Sequence, residues 1–291
     1  MKLPFLDKDL STPFDNPEAD ASGKRVLITG ASGTFGRAIA IELTRRGAVV
    51  VGLDVAPRDD DPIPVIACDL GSDDSVNAAV PQAIARLGGL DILVNNAGIS
   101  SPTPAEFAPT EAVMRQLQIN LLGTWRVTAA CVDALVAAQG RVVMVASRMA
   151  VLQLPLAAAY GVSKRARVAY ADALRLELHP VVDVSCVYPS QVRSPIHDSV
   201  RDAGLSLEGM SVYEPLEGVV AAVVRAALSQ RPIRDVTTTR RGRLEFLMAR
   251  HYPDLVDRRI ERTMAERAAS GAFDKAPLAR GVVSRLRGRD G

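Results

Sequence analysis

A doubly wound α/β domain, with about seven strands in one parallel sheet and a helical extension at its C-terminal end, is the fold class that this 291-residue sequence predicts. Three observations predict it. Short apolar runs alternate with stretches of helical periodicity between residues 24 and 239. The first run passes through Gly30, Gly33 and Gly36 directly into a helical pattern. Beyond Arg240 only helical spacing remains.

Taken in order, residues 1–22 are rich in Pro, Asp and Ser, lack a period and read as a flexible arm. Lys24 to Thr29 (KRVLIT) reads as the first strand, and FGRAIAIELTRRG as a helix closed by Gly47. AVVVGLD, PVIACDL and DILVNN read as strands two to four, with DDSVNAAVPQAIARL as the helix between the last two. A long helical stretch from Val113 to Ala138, the strand RVVMVAS, a helix from Ala157 to Leu178 and the strand VVDVSCVYPS follow. IRDVTTT supplies a seventh strand and ends the domain, expected over 23–239. The connection from Ser190 to Gly209 is longer than usual and is a candidate active-site lid. Residues 240–291 are expected to form a basic amphipathic extension, with two helices divided at Pro253.

Hydrophobic residues make up 48% of the chain, enough for a large core, and the net charge of +2 gives no reason to expect nucleic acid. Basic residues outnumber acidic ones roughly two to one only from about residue 231 onward. Cys68, Cys131 and Cys186 are scattered in apolar runs and read as buried thiols in a reducing compartment. His179, His197 and His251 share no ligand spacing, so no metal site is expected. The N-terminus lacks a secretory apolar core and no stretch reads as long enough to span a bilayer, which makes the cytoplasm the expected location.

The chemistry rests on four features. The turn Thr29-Gly30-Ala31-Ser32-Gly33-Thr34-Phe35-Gly36 joins a strand to a helix, where backbone amides and the helix N-terminus suit a pyrophosphate. Asp54 ends the second strand, where a carboxylate accepts ribose hydroxyls and repels a 2'-phosphate, so NAD is expected rather than NADP. Arg58 nearby could instead pair with a phosphate. Tyr160 and Lys164 lie one helical turn apart, and an ammonium beside a phenol favours phenolate. Ser147 and the segment Asn95-Asn96-Ala97-Gly98 fall at strand C-terminal ends, where ligands of such sheets bind.

Together these residues resemble the short-chain dehydrogenase/reductase family over roughly Lys24 to Thr239. The matching pieces are the glycine turn, Asp69-Leu70, Asn-Asn-Ala-Gly, Asn120, Ser147, Tyr160-Gly161-Val162-Ser163-Lys164 and Pro189. The resemblance implies a Rossmann-type dehydrogenase with Asn120, Ser147, Tyr160 and Lys164 as a catalytic tetrad. Tyr160 would be the acid/base, and Ser147 would hydrogen-bond the reacting oxygen. Lys164 would bind the nicotinamide ribose, and Asn120 would hold a proton-relay water. It also implies that Gly30, Gly33, Thr34, Phe35 and Gly36 meet the pyrophosphate, and that Asp69 and Leu70 lie near the adenine. Asn96, Ala97 and Gly98 would run along the adenosine ribose, and Pro189, Val192 and Ser194 would line the nicotinamide carboxamide. Thr34 stands where most short members have glycine, Ser190 where glycine usually follows the proline, and Ser194 where threonine is commoner.

The expected reaction interconverts a secondary alcohol and a ketone on a lipophilic small-molecule substrate, in a homodimer or homotetramer. The run from Met149 to Leu156 reads equally as core and as an apolar pocket wall. Arg148 reads as a solvated side chain or an anchor for an anionic substrate, and Trp125 as a packing residue. Two rivals are an NADPH-dependent reductase of carrier-bound 3-oxoacyl groups and a non-catalytic NAD-sensing protein. The extension is expected to pack over the substrate loop; contact with a membrane surface is the less favoured alternative.

Overall fold

The computed structural model describes residues 19–205 and 213–287. The first 18 residues of the expected arm, the lid region from residue 206 and the last four residues lie outside them. The arm ends sooner than its composition indicates. Ala21 is fully buried and its amide donates to the Arg46 carbonyl at 3.1 Å, so 19–22 belong to the folded body.

Seven parallel strands form one sheet in the order β3-β2-β1-β4-β5-β6-β7. In chain order the elements are β1 (Arg25–Thr29), α1 (Thr34–Arg45), β2 (Val49–Asp54), β3 (Val65–Ala67), α2 (Asp73–Leu87) and β4 (Ile92–Asn95). Next come α3 (Glu111–Leu117), a π-helical turn (Gln118–Gly123), α4 (Thr124–Ala137), β5 (Arg141–Val145), α5 (Ala158–Glu177) and β6 (Asp183–Tyr188). The last are α6 (Asp198–Asp202), α7 (Leu216–Leu228), β7 (Asp235–Thr237), α8 (Arg240–His251), α9 (Pro253–Ala269) and α10 (Arg280–Arg287).

The near-continuous apolar strands are those of a sheet covered on both faces. In β5, Val142 and Met144 face the core formed with α2, α4 and α5, while Val143 and Val145 face the core formed with α1 and α7. That alternation is the period of two of a pleated strand. Ser72 caps α2 by accepting the Ser75 amide at 3.2 Å, and Gly88 closes it in the left-handed region.

The helical stretch around 113–138 is one continuous run, Glu111–Ala137, interrupted by the π turn. It has the length and composition to cross a bilayer, which corrects the sequence expectation. In this fold one side packs on the sheet, with Asn120, Thr124, Val127, Thr128, Cys131 and Leu135 buried. The extension holds a helix that periodicity did not reveal: α10, whose Val282, Val283 and Leu286 are spaced among arginines. Pro253 occupies the first turn of α9, where its missing N–H is harmless.

Candidate active site

The chain turns from β1 toward β2 on one side and later enters β4 on the other, so the C-terminal ends of β1 and β4 flank a crevice. The glycine turn sits over it. Gly30 has φ +67°, and a Cβ there would lie 2.8 Å from the Ala97 Cα; a Cβ on Gly36 would overlap the Gly30 carbonyl oxygen. The turn and the β4 end therefore approach more closely than any side chain allows. Thr29 Oγ1 accepts the amides of Asn96 and Ala97, both at 3.1 Å, and the Asn96 carboxamide donates back to the carbonyls of Thr29 and Gly30. The Asn96 side chain is thus a staple between the two strand ends. Gly33 precedes α1 without a side-chain cap, and Thr34 opens the helix.

Asp54 lies at the same turn, accepting the Ser32 amide at 3.0 Å and the Ala56 amide at 3.0 Å. Beside it stands Asp61, the last of three consecutive acids in the loop after β2. Its side chain is only 3% exposed, accepts the Ser32 hydroxyl at 2.5 Å and pairs with Arg37 at 2.6 Å. Burial would raise its carboxyl, but Ser32, the Arg58 amide and Arg37 hold it below the ordinary value. No local spacing marks Asp61; only the fold of the loop after β2 delivers it. Asp69 is exposed and accepts the Gly71 amide, whereas Leu70 is buried against Gly123 of the π turn.

Ser147, Tyr160 and Lys164 line one open cleft of about 700 Å³ with its mouth included, together with Phe35, Asn96, Gly98, Pro189 and Val192. Tyr160 and Lys164 share a face of α5, and the Lys164 Nζ lies 5.5 Å from the Tyr160 ring centre and donates to the Val145 carbonyl at 3.2 Å. Burial pushes the Tyr160 phenol above its ordinary value, opposed by a hydrogen bond from Ser147 and by the charge of Arg167. Burial, then the same charge, pushes the Lys164 ammonium well below its ordinary value.

Asn120 stands behind this group. Its Oδ1 accepts the Ile99 amide at 2.8 Å, and its Nδ2 donates to the Ile99 carbonyl and to Ser163 Oγ. Its own carbonyl accepts from Thr124 Oγ1 and from Arg167. A Cβ on Gly98 would come within 3.3 Å of Asn120 Oδ1 and 3.2 Å of Lys164 Nζ.

The run after Ser147 divides between its two expected roles. Met149 and Leu154 line the cleft, while Ala150 joins the main core and Leu156 a smaller core with the extension. Arg148 is neither solvated nor free: it is buried and ion-paired with Glu245 of α8. Sequence separation hides this pair, as it hides Glu214, which accepts from the Ser190 amide, Thr238 and Thr239 and so joins the loop after β6 to the start of α8. Leu205, Met264, Phe273 and Val283 pack with Leu156, so α9 and α10 cover the loops around the cleft.

Two buried polar atoms beside the cleft have no partner among the described residues: Gln191 Oε1 and Ser194 Oγ. An acceptor and a hydroxyl in the loop after β6 suit the carboxamide of a nicotinamide, while the uncapped glycine turn suits its pyrophosphate. The residues present therefore fit a nicotinamide dinucleotide. Gln191 was not distinguished by any motif.

Comparison with known proteins agrees. The family model for short chain dehydrogenases matches residues 24–204. A 3-ketodihydrosphingosine reductase of Bacteroides thetaiotaomicron is 32% identical over 60% of this chain and 66% of its own length. That match takes in just under two thirds of the reductase. The oxidoreductase YbbO of Escherichia coli is 32% identical over 72% of this chain and 83% of its own. Among solved structures, a 3-ketoacyl-(acyl-carrier-protein) reductase from Brucella melitensis complexed with NADH superposes with TM-score 0.66. It is 26% identical, and the match covers 76% of this chain and 98% of that one. Sheet, glycine turn and cleft define a nicotinamide-dependent oxidoreductase of CH–OH groups. The chain belongs to the short-chain dehydrogenase family.

Proposed function

We propose that this protein interconverts a secondary alcohol and a ketone with NAD, on an apolar substrate, with Tyr160 as acid/base. The observation that carries the reading is the gathering of Ser147, Tyr160 and Lys164 on one cleft whose glycine turn is flanked by the Asp54 carboxylate. That carboxylate would accept ribose hydroxyls and repel a 2'-phosphate. Gly30, Gly33, Thr34, Phe35 and Gly36 would cradle the pyrophosphate, and Pro189, Val192 and Ser194, with Gln191, the nicotinamide. The bound nicotinamide supplies the hydride acceptor for the alcohol carbon, or the donor for the ketone.

In the oxidation direction Ser147 holds the substrate oxygen and Tyr160 takes its proton as the hydride leaves, so no free alkoxide forms. Reduction returns the proton from Tyr160 to the oxygen. Lys164 orients the nicotinamide ribose. Met149, Leu154, Val192 and Ile196 give the cleft apolar lining. Relatives named for 3-ketodihydrosphingosine and for 11-beta-hydroxysteroids support a large apolar substrate.

Steady-state kinetics on a panel of apolar secondary alcohols tests this. kcat/KM with NAD should exceed that with NADP, and Tyr160→Phe should lower turnover by about two powers of ten or more with NADH binding retained. Because burial raises the Tyr160 phenol, alcohol oxidation should climb with pH into the alkaline range and ketone reduction should decline there. Near-normal turnover in Tyr160→Phe, or a preference for NADP, would overturn the assignment. Faster reduction of acyl-carrier thioesters with NADPH would favour the 3-oxoacyl reductase instead.

The same reading includes self-association. Met114, Leu122, Trp125 and Val136 along α3 to α4, and Val162 and Leu176 on α5, are apolar and exposed. A homodimer or homotetramer would cover them, and light scattering that finds only monomer at micromolar concentration would reject it.

A further inference from the structure

Among the described residues two arginines are buried, both beside the cleft, and they are satisfied in different ways. Arg167, on α5, donates to the backbone carbonyls of Asn95, Ala97, Asn120 and Val145 at 2.6 to 3.4 Å, and so binds the ends of β4 and β5 to the π turn. Arg148 directly follows Ser147 in the chain and also lines the cleft. Its side chain pairs with the Glu245 carboxylate of α8, 97 positions later. That pair bears on the reacting centre because of how the turn carrying Ser147 is held.

Ser147 opens a single tight turn, Arg148–Ala150, and its hydroxyl accepts the Met149 amide at 3.1 Å. Three contacts fasten this turn. The Arg148 amide donates to the Pro189 carbonyl at 2.8 Å, at the head of the loop after β6. Arg165 of α5 donates to the carbonyls of Ala150 and Val151 at 2.9 and 3.0 Å. The Arg148 side chain makes the third contact, on Glu245. Of the three, only this one reaches outside the span of residues 24–204 that matches the family model.

Other contacts hold α8 in place independently of that pair. Thr239 Oγ1 accepts the Gly242 amide at 2.9 Å and donates to Glu214 at 3.0 Å, Glu214 accepts the Ser190 amide at 3.0 Å, and Phe246, next to Glu245, lies edge-on to Tyr188. Glu245 is thus presented by a fixed helix. A buried guanidinium that loses its counter-charge either stays unpaired at high cost or moves toward water. Arg148 adjoins Ser147, so such a movement takes the turn with it, and the Met149 amide passes it on to the serine hydroxyl. We propose that Glu245 is a positioning residue for Ser147, acting through Arg148, so that the helical extension sets the aim of the hydroxyl that holds the substrate oxygen. This rests on the role given to Ser147 above.

The test is a double-mutant cycle on turnover of whichever apolar secondary alcohol of the panel above is oxidised fastest, with rates taken per folded enzyme. Glu245→Gln should lower kcat by about ten- to a hundredfold, the scale of an ångström's misplacement, while the NADH Kd from fluorescence titration stays within about threefold. In a Ser147→Ala background the same substitution should cost less than about twofold more, because the hydroxyl it aims is gone. Arg148→Met/Glu245→Met, a matched apolar pair that leaves no buried charge, should lower kcat likewise and decides the matter should Glu245→Gln fail to fold. Wild-type kcat in Glu245→Gln or in the apolar pair, an equal loss of NADH affinity, or losses in Ser147→Ala and Glu245→Gln that multiply, would overturn the proposal. Ser147→Ala separates the two readings. Undiminished turnover in that variant removes the role of Ser147 itself, whereas its loss beside an unchanged Glu245→Gln removes only the role of Glu245.

Discussion

The two walls of the cleft are built differently. On the glycine-turn side, contacts are polar and directional: backbone amides on Asp54, a threonine hydroxyl on two amides, and the Asn96 carboxamide on two carbonyls. On the opposite side the cover is apolar and distant in sequence, with α9 and α10 meeting Leu156 and Leu205 in a small separate core. Between them α8 belongs to neither, since its Phe246 enters the main core edge-on to Tyr188 with ring centres 4.8 Å apart. The first wall fixes positions through directed hydrogen bonds. The second fixes a shape.

That difference can be broken by substitution. The largest effect is expected at Phe246→Ala, which removes a ring from the main core and should cost about 3–5 kcal/mol in denaturant unfolding. Met264→Ala opens the smaller core and should cost somewhat less, about 2–3 kcal/mol. It should also raise KM for an apolar alcohol severalfold while NADH affinity stays unchanged. Gly36→Ala should show the reverse pattern. Its methyl meets backbone at Gly30, the turn must shift by about 1–3 kcal/mol of strain, and NADH affinity should fall by roughly tenfold or more. Titration of NADH fluorescence separates the cases. Equal losses of cofactor affinity in Met264→Ala and Gly36→Ala would erase the distinction between the walls.

How legible each wall is in the sequence follows from the same contrast. Glycine punctuation and strand periodicity are local signals, so seven strands and the Tyr160–Lys164 face could be read residue by residue. The turn from Gly30 to Gly36 is marked because close backbone approach permits only glycine. Arg148–Glu245 joins residues 97 positions apart, and nothing local distinguishes it from two exposed charges. Asp61 is the last of three consecutive acids, and nothing local sets it apart, because its burial depends on Arg37, in another element. Arg167 sits in an ordinary amphipathic pattern, and its acceptors are backbone atoms that carry no residue signature. Nor did composition indicate α10, which is held by a core that reaches back from Met264 and Phe273 to Leu205 and, more than a hundred residues earlier, to Leu156.

The strand order has a consequence for the chain as it is made. β1 pairs with β2 on one edge and β4 on the other, and β2 with β3, so a nascent chain that has emerged as far as Asn95 already holds every strand around the glycine turn. Tyr160, Lys164 and Arg167 come later, on a helix that must dock onto β5 and β6 before the guanidinium can reach four carbonyls. The apolar cover arrives last. Synthesis thus delivers a dinucleotide cradle first, a reacting centre second and a roof third, and until the roof arrives Leu156 and Leu205 lack the partners that bury them, a stretch of time in which a chaperone has surface to hold.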